Sequence, residues 1–494
     1  MSKCPGATPG PPERLDVRLV PAALASWLVT AAGTLRPIGS TLAGCCVVIV
    51  AVCGALCWWA RRRRAARLAA ISAGLFAVGL VGTGYGLAIA LRADEVAHHP
   101  IRAAFGTGAP VTVVPTESAL AAGSSRLMFR ANLLMLRDTE ISGRVTVFAR
   151  TSDFDELTVG QPVRFAARIS RPTRHDLTVA VLTATGQPTL GRAGPVHRAA
   201  NIVRTEFTAA VHRVLPADQA AMLPALVLGD TSLISTGTSG EFRAAGMTHL
   251  MAVSGANVTI VCAAVLLSAY LIGPRAAVLL AGLALTGFVV LVQPTPSVLR
   301  AAVMGAIALV AMLTSRRRQA IPALATTVLV LLAVAPHLAV DLGFALSVVA
   351  TAALVVVAPT WSRGLVVRGW PKPMADAVAV AGAAQLVTAP LIAAISGRFS
   401  LVAVVANLVA TPVVGPITVL GSAAAVLAPF WPAGSQLLIR FTGPEVWWVL
   451  RVAHWSAAVP GGSVAVPRGV AGFLVVGGVT VLVVVAWRRA CCRS

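Results

Sequence analysis

Residues 229–257 hold the side chains of this chain that are best suited to bind an anion or to line a polar path. The stretch begins rich in Gly, Ser and Thr and leads into a helix-like run that carries Arg243 and His249. This pattern breaks at Ser254-Gly255, and an apolar segment follows directly. Charged groups at the mouth of a membrane helix usually line a water-filled path or the interior of a bundle. Irregular backbone at that depth must be enclosed by protein or a cavity. The sequence therefore predicts a broken or re-entrant helix at a conduit.

The composition predicts a membrane around this stretch. Hydrophobic residues make up 57% of the chain and charged residues 12%, more apolar surface than a soluble domain could keep from water. Runs of about 20 apolar residues, enough to cross the hydrocarbon as a helix, recur along the chain. We predict a polytopic α-helical membrane protein with about twelve spans and broken or re-entrant helices. The runs are 20–35, 38–60, 68–92, 254–273, 276–293, 296–314, 319–337, 339–359, 374–396, 400–430, 436–460 and 468–487.

Arginine placement predicts the orientation. Arg and Lys concentrate in short cytoplasmic loops. Placing the four basic connections inside puts both termini in the cytoplasm and residues 93–215 outside. The first apolar run lacks a typical cleavage site, so we expect it to be retained. The four connections are Arg61–Arg64 with Arg67, Arg316–Arg318, Arg363 with Arg368 and Lys372, and Arg488 with Arg489 and Arg493.

Residues 93–195 have the pattern of a soluble domain. Short alternating or β-branched runs are separated by turn residues, without a competing helical pattern of comparable length. Five short strands in about 100 residues predict a small inserted β-barrel on the outside, with the OB type as the leading interpretation. The predicted strands lie within 111–117, 126–136, 142–150, 161–170 and 177–185.

Charge and cysteines restrict the function further. The net charge of +22 fits topology-setting loops that face anionic lipid, and also attraction of a polyanion to a basic pore mouth. Cys46, Cys53 and Cys57 share one helical face without a neighbouring His or carboxylate, which favours helix packing over metal binding. No Walker loop, H-E-x-x-H or G-x-S-x-G is present. We therefore expect no metal, no cofactor and no enzymatic activity.

An ordered set of short motifs is more specific than any one of them alone. In this order the motifs resemble the ComEC-type competence DNA channel family over about residues 200–430, and the helices and barrel before them look like that family's N-terminal part. The motifs are GD (229–230), FRxxG (242–246), HL (249–250), VSGxNV (253–258), PSVLRA (296–301), DLGFALS (341–347), AQLVTAP (384–390) and GRFSLVAVVANLVATP (397–412).

Several positions depart from that family's pattern. Asn257 stands where many members have histidine, and Leu342, Ala345 and Val348 replace the usual Pro, Gln and Phe. The predicted barrel lacks the cysteine pair of some relatives. The sequence also contains no H-x-H-x-D-H motif, whereas many relatives continue into a metallo-β-lactamase-like domain. We therefore expect the chain to have no metal-dependent nuclease of its own.

The resemblance implies a channel of the bacterial inner membrane that passes single-stranded DNA into the cytoplasm during natural transformation. It implies that a separate DNA receptor, a cytoplasmic helicase or translocase and a separate nuclease act with it, within membrane lipid. A secondary transporter of small anionic or lipid-linked solutes is the main alternative. A membrane enzyme or scaffold is a second one, and the lack of a clustered metal-ligand set or a Ser/His/Asp arrangement argues against an enzyme. The predicted organisation is membrane helices in 1–92, the barrel in 93–195, the channel core in 196–430, and membrane helices with a basic tail in 431–494.

The matched residues suggest a substrate path, and each has a purely structural alternative. Arg243 offers a fork for phosphate or an ion pair with Asp230 or Glu241, and Asp230 is equally suited to cap a helix. His249 and Asn257 line the conduit or bond to exposed backbone. The channel-lining candidates are Asp230, Arg243, His249, Ser254, Asn257, Arg300, Asp341, Gln385 and Asn407.

Three further expectations concern helices deeper in the chain. Arg300 lies one turn into a predicted span and needs a partner or water. Asp341 is suited to balance a charge or to cap its helix, while Ser347, Gln385 and Asn407 are suited to interhelical hydrogen bonds. The helix-break candidates, of the kind that transporters use at substrate sites, are Gly255, Pro412 and Pro416.

Overall fold

The computed structural model describes residues 16–36, 38–121, 123, 125–154, 157–269, 272–313 and 319–493, with side chains to residue 485. A bundle of helices carries one inserted β-barrel between its third and fourth helices. Helices α1, α2 and α3 span Val20–Leu35, Gly39–Arg62 and Ala66–Ala97.

Helices α2 and α3 form an antiparallel pair that is held by small residues. A Cβ added at Gly86 would lie 3.1 Å from Cα of Ala43, and one at Gly82 would lie 2.8 Å from Sγ of Cys46. The two helices approach closely because glycine has no side chain there. Cys46 therefore packs against a neighbouring helix, in keeping with the predicted packing role of this cysteine face.

The inserted domain is a closed five-stranded barrel. Its strands close in the order β1-β5-β6-β4-β3 and back to β1, with β4 and β6 parallel and the other pairs antiparallel. Alternate residues point inward, and Phe154 packs edge-on against Phe165 in the core, with ring centroids 5.3 Å apart. The strands are β1 (Gly108–Pro115), β2 (Leu120–Ala121), β3 (Arg126–Leu136), β4 (Thr139–Arg150), β5 (Val163–Ser170) and β6 (Ala180–Leu190).

The chain after the barrel is helical apart from one two-stranded hairpin, β7 with β8. The elements are α4 (Pro195–Val214), α5 (Ala217–Leu228), α6 (Thr236–Ala244), α7 (Gly255–Ser268), α8 (Pro274–Val292), α9 (Pro296–Leu313), α10 (Ala320–Val334), α11 (Leu342–Val356), α12 (Ala358–Val367), α13 (Lys372–Ser396), β7 (Arg398–Ser400), α14 (Ala403–Leu427), α15 (Pro432–Ala458), β8 (Ser463–Ala465) and α16 (Val470–Arg493).

Seven helices in the described part of the chain are long and apolar enough to cross a membrane. The predicted count of about twelve is not confirmed. The runs 254–273 and 319–337 contain helices of only 14 and 15 residues, and α15 is not among the seven. An apolar run marks burial against other helices as well as contact with lipid, so the number of runs does not by itself fix the number of spans. The seven are Gly39–Arg62, Ala66–Ala104, Pro274–Val292, Pro296–Leu313, Leu342–Val367, Lys372–Ser396 and Ala403–Leu427.

The predicted break at Pro412 and Pro416 is wrong, because α14 runs unbroken through both prolines. Each proline removes one N–H donor, and hydroxyl groups bond to carbonyls nearby. Thr411 donates to the carbonyl of Asn407 at 2.6 Å, and Thr418 donates to that of Val414 at 2.8 Å. Packing of α14 against α15 and α7 holds the helix together despite the missing bonds.

The connections alternate between two ends of the bundle. The barrel follows the end of α3, and it contacts Gln293 after α8 and Asp341 before α11; we call this end the barrel side. Arg61–Arg64 and the Arg368-to-Lys372 connection lie at the other end, since α3 and α13 run from there toward the barrel side. The predicted clusters at 316–318 and 488–493 fall outside the described side chains.

Candidate functional site

The polar stretch rich in Gly, Ser and Thr forms an irregular excursion between α5 and α7. Gly229 ends α5 in the left-handed region, with φ 73°. Helix α6 begins after Ser235, whose Oγ accepts from the N–H of Thr238 at 3.0 Å, and it ends at Ala244. The predicted helix-like run is therefore ten residues shorter than expected, and a turn and a short 3-10 segment precede α7. We call residues 229–254 the re-entrant segment.

Gly246 and Asn407 hold the re-entrant segment against α14. Gly246 has φ 70°, and a Cβ added there would lie 2.5 Å from Cβ of Ala403. Nδ2 of Asn407 donates to the carbonyl of Gly246 at 3.3 Å and to that of Ala403 at 2.8 Å. Asn407 therefore connects the backbone of the segment to α14, as expected of an interhelical polar group.

Asn257 lies at the start of α7 and is buried. Its Nδ2 donates to the carbonyl of Leu226 on α5 at 3.1 Å, and its Oδ1 accepts from Oγ of Ser254 at 3.1 Å. A cavity of about 10 Å³, room for about one water molecule, lies beside Asn257 and Ser254 and is lined by Thr418 from α14. In this conformation the cavity is too small to hold a nucleotide.

Asp230 pairs with an arginine that the sequence analysis did not consider. Its Oδ1 accepts from the N–H and the hydroxyl of Ser232, and its Oδ2 lies 3.4 Å from Arg204 on α4. Arg204 also donates to the carbonyls of Leu228 and Leu291. The interpretation of Asp230 as a partner of Arg243 is therefore wrong. Arg204 lies in an amphipathic helix outside the matched motifs, so no spacing pointed to it.

Arg243 is exposed on α6. Glu241, its other predicted partner, instead faces His454 of α15, with Oε1 2.8 Å from Nδ1. Arg451 lies one turn earlier on α15 between Trp447 and Trp455, at 5.6 and 5.7 Å from the two ring centroids. His249, in the 3-10 segment, is also exposed. Exposed cationic and aromatic side chains therefore gather where α6 packs on α15.

Arg300 is buried in the second turn of α9, with 9% of its surface exposed. Its Nε donates to Oγ of Ser347 at 2.5 Å, and Nη1 lies 3.5 Å from Sδ of Met304. A Cβ added at Gly255 would lie 2.6 Å from Nη2 of Arg300. Glycine at this position therefore leaves room for the guanidinium. Gly255 does not have a positive φ, so the glycine does not serve to reverse the chain.

Polar contacts join the barrel to the helices. Asp341 caps α11 by accepting from the N–H of Phe344 at 2.9 Å, and it lies 4.0 Å from Arg130 of β3. Oε1 of Gln293 accepts from the N–H and the hydroxyl of Ser118 at 3.1 and 2.8 Å. Both predicted roles of Asp341, cap and counter-charge, are present together.

The predicted site residues thus fall into separate places. Ser254, Asn257 and Gly255 meet Arg300 at the start of α7. Asp341 belongs to the barrel junction, and Gln385 lies half-buried on α13. Within the described ranges, no three His, Cys, Asp or Glu side chains group so as to hold a metal ion.

Together these features define a multi-pass membrane protein with an inserted barrel and an irregular segment before α7. The sequence model of the family described as Competence protein matches residues 226–490, more than half of the chain. The chain belongs to this family, of ComEC type.

One curated relative supports the same assignment. ComE operon protein 3 of Bacillus subtilis (strain 168) is 27% identical over 213 residues, which cover 42% of this chain and 26% of that protein. The alignment therefore spans about a quarter of the relative's length. No solved structure matches the chain significantly.

Proposed function

We propose that this protein is a channel of the bacterial inner membrane that moves single-stranded DNA into the cytoplasm. The observation that carries the proposal is the position of the re-entrant segment, which lies within the family match and holds the exposed Arg243 at the barrel side. Irregular backbone enclosed by helices is typical of substrate sites in membrane proteins. The family's part in competence supplies the substrate class.

The barrel is of OB type in this proposal. Numbered among themselves, its five long strands close in the order 1-2-3-5-4-1, with one parallel contact between the third and the fifth. Barrels of this type bind oligonucleotides on one face. Phe129, Phe154 and Phe165 are buried in the core, so stacking of bases on these rings is not available. The barrel's proposed role is to stand over the conduit and to guide the strand by its arginines.

The strand follows the re-entrant segment past Arg243 and His249 and then passes the start of α7. Arginine binds phosphate groups without reading the base sequence, which suits a path that must accept any sequence. The narrow point at Asn257 makes the present conformation a closed one. Opening requires α7 or α14 to shift, because Asn257 ties α7 to the carbonyl of Leu226 and Asn407 ties α14 to the carbonyl of Gly246.

Both termini lie in the cytoplasm in this proposal, and the barrel lies outside. Pulling force comes from a separate helicase or translocase, a separate receptor delivers the DNA, and a separate nuclease removes the second strand. The chain itself performs no chemistry. The basic connections opposite the barrel support this orientation by the positive-inside rule.

Deletion of the gene followed by tracking of labelled DNA tests the proposal. The deletion strain should bind DNA at its surface and fail to bring it into a nuclease-protected cytoplasmic pool, and the intact gene should restore import. A small labelled organic anion serves as the second substrate. Loss of anion uptake in the deletion strain, with normal DNA import, would contradict the DNA channel and support the solute transporter.

A further inference from the structure

The start of α7 and the side chain of Arg300 place two positive groups next to each other. The first turn of a helix carries unpaired N–H donors and the positive end of the helix dipole. No side chain caps α7, because Ser254 donates its hydroxyl to Asn257. The N–H of Asn257 bonds to the carbonyl of Ser254 at 3.1 Å, whereas the N–H groups of Gly255 and Ala256 have no partner among the described residues. The guanidinium approaches this same turn at Gly255.

Arg300 has no counter-charge among the described residues. Its polar contacts there are with the Ser347 hydroxyl and the Met304 sulfur, and both are neutral. The Nη2 group, which faces Gly255, has no hydrogen-bond partner among the described residues. A buried guanidinium without a carboxylate is costly, and a helix start beside it adds to the cost.

We propose that Arg300 and the first turn of α7 form a binding site for an oxyanion, with a phosphate group as its ligand. An oxyanion that lies beside both groups accepts from Nη2 and from the free backbone N–H groups of the turn, and it neutralises both positive groups. Helix starts bind phosphate in this way when a cation assists. Assignment of the phosphate to a DNA backbone rests on the proposed function; the oxyanion site does not.

The position of the site fits a strand that passes in steps. Arg300 lies on the second turn of α9, and Gly255 begins α7 directly after the re-entrant segment that holds the exposed Arg243. A phosphate would leave Arg243 and next meet Arg300. Gly255 is required because any side chain there would occupy the space of the guanidinium.

Thermal unfolding of the purified full chain in phosphatidylcholine nanodiscs tests the site, with inorganic phosphate as the probe at constant ionic strength. Phosphate should raise the Tm of the wild type by several degrees. Arg300→Gln should abolish the increase, and in phosphate-free buffer it should raise the Tm, because it removes an uncompensated buried charge. If the role of Arg300 is purely structural, Arg300→Gln should instead lower the Tm in both buffers.

Two variants keep the test decisive if Arg300→Gln does not fold. Gly255→Ala keeps the charge but displaces the guanidinium, and it should raise the half-saturating phosphate concentration at least tenfold. Arg275→Gln, at an exposed arginine that begins α8, is the matched control and should respond as the wild type does. Equal phosphate dependence in the wild type, Arg300→Gln and Gly255→Ala would overturn the proposal.

Two more arms identify the source of the phosphate. A thymidine oligonucleotide should compete with inorganic phosphate for the wild type only, as expected of a DNA path. A phosphate effect that vanishes once phosphatidylglycerol is added to the nanodiscs would assign the site to a lipid headgroup and overturn the DNA assignment. Phosphate stabilisation in a protein that imports no DNA would leave the oxyanion site in place and would refute the proposed function alone.

Discussion

Arg130 of the barrel and Asp341 at the start of α11 approach to 4.0 Å, and Arg130 also pairs with Glu117 at 3.2 Å. One arginine therefore connects a barrel carboxylate to a carboxylate that caps a membrane helix. Since Asp341 bonds to the first turn of α11, the position of the barrel and the start of this helix are coupled.

The first prediction is that Arg130→Gln loosens the barrel from the helices. Partly exposed pairs of this kind contribute about 0.2–1 kcal/mol each, so the fold should persist while the junction opens more often. Hydrogen exchange at residues 336–345 should become faster. Arg164→Gln, which breaks an exposed pair with Asp138 elsewhere on the barrel, is the control. Unchanged exchange in Arg130→Gln would show that apolar packing alone positions the barrel.

The second prediction concerns pH. His337 precedes Asp341, and burial, followed by the charges of Arg144 and Arg130, lowers the pKa of His337 to about 3. The unfolded chain, with a histidine pKa of about 6.5, binds one more proton between these values. The contribution of His337 to the free energy of unfolding is therefore fully present above about pH 6.5. It is lost as the pH falls, by at most about 2 kcal/mol at pH 5.

His337→Gln should remove this part of the acid sensitivity, so its Tm should fall less than that of the wild type between pH 7 and pH 5. His175→Gln changes an exposed barrel histidine and should behave as the wild type does. Identical pH dependence in all three proteins would show that His337 is free to take up a proton in the folded state.

The third prediction compares two glycines of the re-entrant segment. Gly246→Ala forces a side chain into the left-handed region and against Ala403, and should destabilise the protein by about 1–3 kcal/mol. Gly240→Ala, on α6 with nothing within 4 Å of the added methyl, should be neutral or stabilising. Thermal unfolding in detergent measures both. Equal Tm values for the two variants would contradict the close packing of the segment on α14.

The fourth prediction is that the purified chain cleaves neither single- nor double-stranded DNA when Mg²⁺, Mn²⁺ or Zn²⁺ is added. Metal-assisted hydrolysis needs a cluster of ligands, and the described residues hold none. Cleavage that a chelator abolishes, and that co-purifies with the chain through successive columns, would reveal a catalytic site.

The sequence predicted the barrel and the re-entrant segment because both depend on local patterns. Alternation and turn residues mark the strands of the barrel. Ser254 and Gly255 mark the start of α7, which begins where the pattern broke. The span count was not confirmed, since apolar runs such as 254–273 and 319–337 contain helices of only 14 and 15 residues.

Contacts between distant parts of the chain could not be read from spacing. Arg204 with Asp230, and His454 with Glu241, join residues 26 and 213 positions apart. Local proximity instead suggested an ion pair of Arg243 with Asp230 or Glu241 as the alternative to a phosphate fork, and the structure pairs these acids with Arg204 and His454. The side chain that needs the space at Gly255 could not be identified for the same reason, because this guanidinium comes from another helix.

Photo-crosslinking of imported DNA tests the central claim most directly. A photoreactive residue is placed at Arg243, at His249 or at Leu283, a leucine of α8 that is 70% exposed on the bundle surface, in cells that are taking up labelled DNA. The account predicts crosslinks to single-stranded DNA from positions 243 and 249 and none from 283, at equal protein abundance. Crosslinks from 283 alone, with normal DNA import in all three strains, would contradict a path along the re-entrant segment.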